Sequence, residues 1–246
     1  MYRPDICFSV LFMANFKDDL TRILYLTCVF IVGPITQAIC QTPYMIEPFN
    51  NNDQGWPFIG NANGYSISID KGHLIMDGNS TAIHTYKKTA LTIESDAAIY
   101  ARLIFLTGDH LGWMGIRFGM SEQADKYCSF VLNNDKGFLI GVTNGKKYQV
   151  VRESKSVLVK PYDYNTITVI KNGTTYKFLI NDKQVHEAKI KNFFGPMVGL
   201  VTNMNMKMQV DELEIYDPKK GRSTISASSE LSSVQLTAPG DLTIED

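Results

Sequence analysis

The stretch from Tyr164 to Val185, YNTITVIKNGTTYKFLINDKQV, constrains the fold more than any other part of the chain. Apolar and polar residues alternate on both sides of Asn172-Gly173. Alternation with a period of two places successive side chains on opposite faces of an extended strand. Asn-Gly accepts the positive φ of a tight reversal, so the two runs read as an antiparallel hairpin, with strand ends that predict a loop slightly longer than two residues. Ile167 and Val169 on the first run, with Tyr176, Phe178 and Ile180 on the second, form an apolar face that can seal one layer of a sandwich. Such a face is stable only against a second layer, so the hairpin's first task is structural.

The same period recurs along the chain. Tyr65 to Ile69, Ala82 to Tyr86, Ala97 to Leu106, Gly112 to Phe118, Lys126 to Leu132 and Gly137 to Thr143 carry β-branched or aromatic residues in alternation, as do Thr166 to Lys171, Tyr176 to Asn181, Met197 to Thr202 and Met206 to Tyr216. Asp77-Gly78 and Asn144-Gly145 add further turn signals. No segment of this region reads as a helix, and no fixed-period repeat points to a propeller or solenoid. Short strands at roughly ten-residue spacing predict an all-β, antiparallel two-sheet sandwich or barrel. The 246 residues fit one such domain, and 44% hydrophobic with 20% charged residues is a globular composition. A formal net charge of -1 gives no long-range field, and no basic run is interleaved with aromatics, so nucleic acid is not an expected partner.

Location is written at the N-terminus. Ile23 to Ile35 is an apolar run of 13 residues behind Lys17 and Arg22, and Gly33-Pro34 breaks it before small and polar residues. This is the layout of a signal peptide, with cleavage after Ala38 or Cys40, and Met13 is a second candidate start. A membrane span needs about 20 apolar residues, so no stable span is expected once residues 1–40 are removed. The expected product is secreted or periplasmic, with a domain over residues 41–217 and a flexible Ser/Thr-rich tail over 218–246. Cys128 is then the one thiol well inside the domain, and its alternation with Phe130 and Leu132 predicts a buried, inert side chain rather than a nucleophile.

Several local signals follow in the order of a known family. Phe49-Asn50-Asn51-Asn52 precedes Trp56, and Gly112 to Gly119 (GWMGIRFG) is followed by Tyr127 to Phe130. Tyr164 to Val169 leads to Ile180-Asn181-Asp182-Lys183, then to Gly195 to Leu200 (GPMVGL) and a final strand at Val210 to Ile215. The set resembles the laminin-G-like or concanavalin A-like jelly-roll modules of exported bacterial proteins, over about residues 44–217. The resemblance implies a jelly-roll sandwich with Asn181 in a tight turn between strands, and it implies glycans as the ligand class.

Because related jelly rolls include glycosidases, paired carboxylates are the first chemistry to test. Glu94-Ser95-Asp96 resembles the start of a Glu-x-Asp-x-x-Glu strand but lacks the last acid, and a retaining mechanism needs two carboxyls about 5 Å apart. Asp211, Glu212 and Glu214 read as outward charges guarding an edge. His73, His84, His110 and His186 show no metal-ligand spacing, Asp109-His110 in a loop is the best local candidate for a cation, and no metal or other cofactor is expected. No nucleophile elbow or phosphate-binding glycine loop occurs.

What remains is a ligand face. Within Trp113 to Phe118, alternation sends Met114, Ile116 and Phe118 to the core and leaves Trp113, Gly115 and Arg117 on the other side. Tyr127 and Ser129 share the outward parity on the next strand, and Tyr100 and Arg102 alternate against Ala101, Leu103 and Phe105. Aromatic faces stack on sugar rings and a guanidinium fork bridges hydroxyls, so Trp113, Arg117, Tyr127, Tyr100 and Arg102 are the candidate ligand-binding residues. The reading is of an exported, non-catalytic recognition module whose partner is a glycan or a cell-surface protein. A glycoside hydrolase-like enzyme and a structural or protein-interaction module are its rivals. If the signal reading holds, the mature protein is recovered outside the cytoplasm and intact-mass measurement shows the first 38 to 40 residues gone. A mature form that retains Ile23 to Ile35 refutes it.

Overall fold

The computed structural model describes residues 44–62 and 64–222. The segment expected to be a signal peptide and the part of the expected tail after Arg222 lie outside the described residues. Fifteen strands run along the described chain, and none of its regular elements is an α-helix. They begin with β1 (Met45–Glu47), β2 (Ile59–Ala62), β3 (Tyr65–Asp70), β4 (His73–Asp77) and β5 (Ile83–Lys88). The middle holds β6 (Ala97–Gly108), β7 (Met114–Met120), β8 (Lys126–Leu132), β9 (Gly137–Asn144) and β10 (Tyr148–Lys155). The last are β11 (Asn165–Asn172), β12 (Thr175–Ile180), β13 (Lys183–Lys189), β14 (Met197–Thr202) and β15 (Met206–Tyr216).

Two antiparallel sheets result. One has nine strands in the order β13-β12-β11-β6-β15-β4-β3-β2, with β1 also paired to β15, and the other has six in the order β10-β9-β8-β7-β14-β5. The protein is an all-β, two-sheet jelly-roll sandwich, with β6 lying between β11 and β15 and β14 between β7 and β5. β6 and β15 are the longest strands, and their pairing extends from Met206↔Gly108 to Tyr216↔Ala98. β15 is therefore a central strand. This corrects its reading as a guarded edge, and Glu214 on it is 2% exposed.

The core forms where alternation predicts it. Met114, Ile116 and Phe118 of β7, Cys128 and Phe130 of β8, and Ile167, Val169, Tyr176, Phe178 and Ile180 of the hairpin are all buried in one cluster. Burial of each large apolar side chain contributes about 1.5 to 3 kcal/mol, which is how a domain without a disulfide among its described residues holds together. Burial also pushes the Cys128 thiol up to about 12, so it stays protonated and unreactive.

Five strands escape the sequence pattern. β10 and β13 terminate their sheets and are exposed along most of their length, so neither carries a clean apolar face. β10 also shifts register between Val150 and Arg152, and a bulge of this kind breaks the alternation. β1, β2 and β4 have five residues or fewer. The hairpin loop is tighter than its sequence suggests: Asn172 pairs with Thr175, leaving Gly173 and Thr174 to turn, with Gly173 at φ 56°. At the next turn Asn181 and Asp182 take φ 48° and 63°, the left-handed pair of a type I′ reversal. The Asn181 side chain accepts from Thr166 N at 2.8 Å and donates to the Leu158 carbonyl at 2.7 Å.

Gly108 ends β6 at φ 112°, and a Cβ there would lie 1.9 Å from the Asn205 carbonyl oxygen. That carbonyl accepts from Asp109 N at 2.7 Å, so it is not free to retreat. Gly108→Ala is expected to cost more than about 3 kcal/mol in urea unfolding. Gly173→Ala, which meets open space, shares the unfavourable φ and costs about 1 kcal/mol. Equal losses at the two positions would refute the close approach at Gly108.

Candidate ligand-binding site

The outward face of the six-stranded sheet is set by register. Arg117 on β7 pairs with Gly199 on one side and Ser129 on the other, and Ser129 pairs with Gly141. Tyr127, Thr143 and Tyr148 form the adjoining row. Directly paired residues present their side chains to the same face, so the burial of Ile116, Phe118 and Phe130 forces Arg117, Ser129 and Tyr127 outward. Gly141 makes the difference in shape. A Cβ there would lie 2.0 Å from Tyr148 Oη, so the missing side chain is what lets the Tyr148 ring lie over the strand. Its hydroxyl and Ser129 Oγ form a hydrogen bond of 3.0 Å.

These side chains line an open groove of about 230 Å³. Trp113, Arg117, Tyr127, Tyr148 and Asn203 surround it, and Val131, Leu139 and Val201 give it an apolar floor. The Arg117 guanidinium carbon lies 4.1 Å from the centre of the Tyr127 ring. Burial pushes the Arg117 guanidinium down from its ordinary value, with the Tyr127 and Tyr148 hydroxyls opposing that shift. A guanidinium stays charged through such a shift. Burial likewise raises the Tyr148 phenol, against the effect of its Ser129 hydrogen bond. Trp113 also borders a second hollow, lined by Asn133, Asp135, Glu153 and Lys155. Farther across the sheet, His84 stacks on Tyr86 with ring centres 5.6 Å apart.

Three of the five sequence-derived residues, Trp113, Arg117 and Tyr127, meet at the groove. Tyr100 and Arg102 do not, because β6 belongs to the nine-stranded sheet. There Tyr100 is 5% exposed and lies under Arg222, whose guanidinium carbon is 3.7 Å from the ring centre. Arg102 stacks on Tyr164 at 4.0 Å and pairs with Asp211. Tyr148, Asn203, Leu139 and Val201 were missed by pattern reasoning. The signal for Tyr148 was Gly141 between Ile140 and Val142, a gap in a strand of branched residues, but its meaning depends on cross-strand register.

None of the carboxylates singled out in the sequence lines this groove. Asp96 accepts from Gly173 N at 3.0 Å and pairs with Lys219 at 2.9 Å, Asp109 accepts from Leu111 N at 2.9 Å, and Glu94 is exposed in the loop before β6. Among the described residues, no three His, Cys, Asp or Glu side chains group as metal ligands. No helix among them is long and apolar enough to cross a membrane.

No protein-family model and no curated protein matches the chain. Its fold does match solved structures. The carbohydrate binding module CBM66 of Bacillus subtilis is 11% identical with a TM-score of 0.51, over 66% of this chain and 95% of that one. A Bacillus licheniformis beta-glucanase is 9% identical with a TM-score of 0.54, over 71% and 98%. A Bacillus subtilis protein of unknown function with a galectin-like fold is 12% identical with a TM-score of 0.55, over 72% and 97%. At these identities the likenesses show the jelly-roll sandwich fold.

The opposite sheet buries a carboxylate of its own, Glu214. Arg222 bonds both Glu214 and Glu212, and Glu214 Oε1 has no hydrogen-bond partner among the described residues. Burial raises the Glu214 carboxyl from 4.5 to about 7, with Arg222 opposing and Glu212 assisting. A raised carboxyl pKa favours the protonated form in the fold, so this contribution is full below the unfolded value and fades as pH rises through about 7. Arg222→Ala removes the cation that tolerates the charged form. The variant is expected to be less stable by about 1 to 3 kcal/mol at about pH 8, with the gap narrowing at about pH 5, in urea melts of the full chain. A gap that is flat across this range refutes the clamp.

Proposed function

We propose that this protein is an exported, non-catalytic glycan-recognition module and that the groove on the six-stranded sheet is its binding site. The observation that carries the reading is the composition of that groove: aromatic rings at Trp113, Tyr127 and Tyr148, an Arg117 fork, and no Asp or Glu among its lining residues. Rings of this kind stack on the C-H faces of a pyranose, and the Tyr148 and Ser129 hydroxyls with Asn203 offer donors and acceptors to its hydroxyls. The carbohydrate binding module among the fold neighbours supports the ligand class at the level of fold. The laminin-G likeness rests on the sequence motifs alone. Export rests on the apolar run ahead of Gly33-Pro34.

The second hollow beside Trp113 supports an extended ligand. Trp113 borders both depressions, so a saccharide chain can cross it and place one unit on either side. Retention of the full chain on a broad glycan panel tests the reading. Trp113→Ala is expected to keep the circular dichroism of the native fold and to weaken binding about tenfold, as the loss of one stacked ring implies. A natively folded protein that retains no glycan, or that binds its best glycan as well without Trp113, leaves the architectural rival standing.

A further inference from the structure

The arginines of the described chain are treated unequally. Arg102 has Asp211, and Arg222 has Glu214 and Glu212. Arg152 is exposed on β10, where water solvates it. Arg117 is half-buried and its guanidinium has no carboxylate and, among the described residues, no hydrogen bond; it lies against the Tyr127 ring. A guanidinium presents five N-H donors, and taking them out of water without acceptors is unfavourable. The Tyr127 ring compensates one face of the cation and leaves the N-H edge uncommitted. The groove itself is lined by no Asp or Glu, while beyond Trp113 the adjoining hollow holds Asp135, paired with Lys155, and Glu153. Lys146 and Lys147, exposed in the turn before Tyr148, add positive charge beside it in the chain, and no ion pair with a carboxylate is formed by either among the described residues.

We infer that the groove takes an acidic saccharide, whose carboxylate or sulfate ester docks on the Arg117 fork while a sugar ring stacks on the neighbouring aromatics. The inference rests on the glycan-recognition reading and narrows it. A planar carboxylate fits a guanidinium edge with two parallel hydrogen bonds, and a sulfate ester offers oxygens at similar spacing. Such a charge-assisted pair gains strength where burial lowers the local dielectric, and that is also where an unpaired Arg costs most. Ligand binding thus supplies the acceptors that the fold withholds.

The test compares binding of the full chain to polygalacturonate, the same polymer with its carboxyls reduced to alcohols, dextran sulfate and dextran. The expected result is at least about tenfold tighter binding to an acidic polymer than to its neutral counterpart, weakening as salt rises. Retention on polygalacturonate assigns the carboxylate, and retention on dextran sulfate alone assigns the sulfate ester. Arg117→Gln is expected to bind acidic and neutral forms equally. Arg117→Lys, which keeps the charge and most of the stem but loses the fork, should fall between, so the proposal remains testable if the glutamine variant fails to fold. Lys146→Gln with Lys147→Gln should keep the acidic preference. If the wild type binds neutral and acidic polymers alike, the acidic reading is overturned while glycan recognition stands. Binding to no saccharide overturns both. An acidic preference that survives Arg117→Gln and disappears with the lysines overturns the assignment to Arg117.

Discussion

The contact between Phe130 and Phe178 joins the two sheets: the ring centres are 5.3 Å apart and the planes meet at 73°. Phe118 packs against both Tyr176 and Phe178, at 5.9 and 6.5 Å. These rings come from β7 and β8 of one sheet and β12 of the other, so they fix which side of each strand faces in. Since a strand has only two faces, the same packing decides where Arg117 and Ser129 go. A one-residue slip of β7 would drive a guanidinium into the aromatic cluster, at a cost far above that of any single surface contact. The groove therefore inherits from the core which of its side chains face outward.

The two outer faces differ in how their charges are settled. On the nine-stranded sheet, cations are matched within the chain: Arg102 with Asp211, Lys207 with Asp77, and Arg222 with the acid pair on β15. After β15, Lys219 pairs with Asp96 and Arg222 lies over the Tyr100 ring. On the six-stranded sheet the end strands carry the pairs Lys88 with Glu122 and Lys155 with Asp135, but at the groove the ring of Tyr127 is what meets Arg117. An internally neutralised face offers little to a charged ligand, whereas a desolvated cation with free donors has its favourable partner still to come. This contrast, more than the depth of the groove, is why the six-stranded sheet is the proposed binding side.

How far the sequence is legible follows from the range of each signal. Alternation within β7, β8, β11 and β12 is local, so the inward set from Met114 to Phe178 and the outward position of Arg117 are readable from a few residues each. Asn181-Asp182 is equally local, because two left-handed residues in succession suffice for the turn. Partnership between strands is not local. Tyr100 and Arg102 have the same outward parity as Arg117, and nothing in β6 alone says that it pairs with β11 and β15 rather than β7. The burial of Glu214 depends on Arg222, which arrives from beyond the strand, so composition alone read it as a surface charge. β10 hides its contribution for the opposite reason, since an edge strand is free to lack an apolar face.

Tyr148 shows how a feature that weakens a strand can build a site. A glycine inside a strand gives up side-chain packing, and Gly141 is flanked by Ile140 and Val142, which retain theirs. The space above Gly141 is filled by the Tyr148 ring from the neighbouring strand, and the ring is held at its far end by Ser129. Fixing the ring before a ligand arrives removes part of the ordering cost of binding. Arg117 is steadied in a similar way by Tyr127, so two of the groove's polar ends are positioned by neighbours that do not consume their remaining hydrogen-bonding capacity. Such an arrangement is suited to recognition. Glycosidic bond cleavage by the common route needs a proton donor and a second carboxylate across the bond, and no Asp or Glu lines the groove itself; Asp135, paired with Lys155, and Glu153 line the hollow beyond Trp113. The aromatic and cationic groups of the groove are the ones that the proposed saccharide recognition would use.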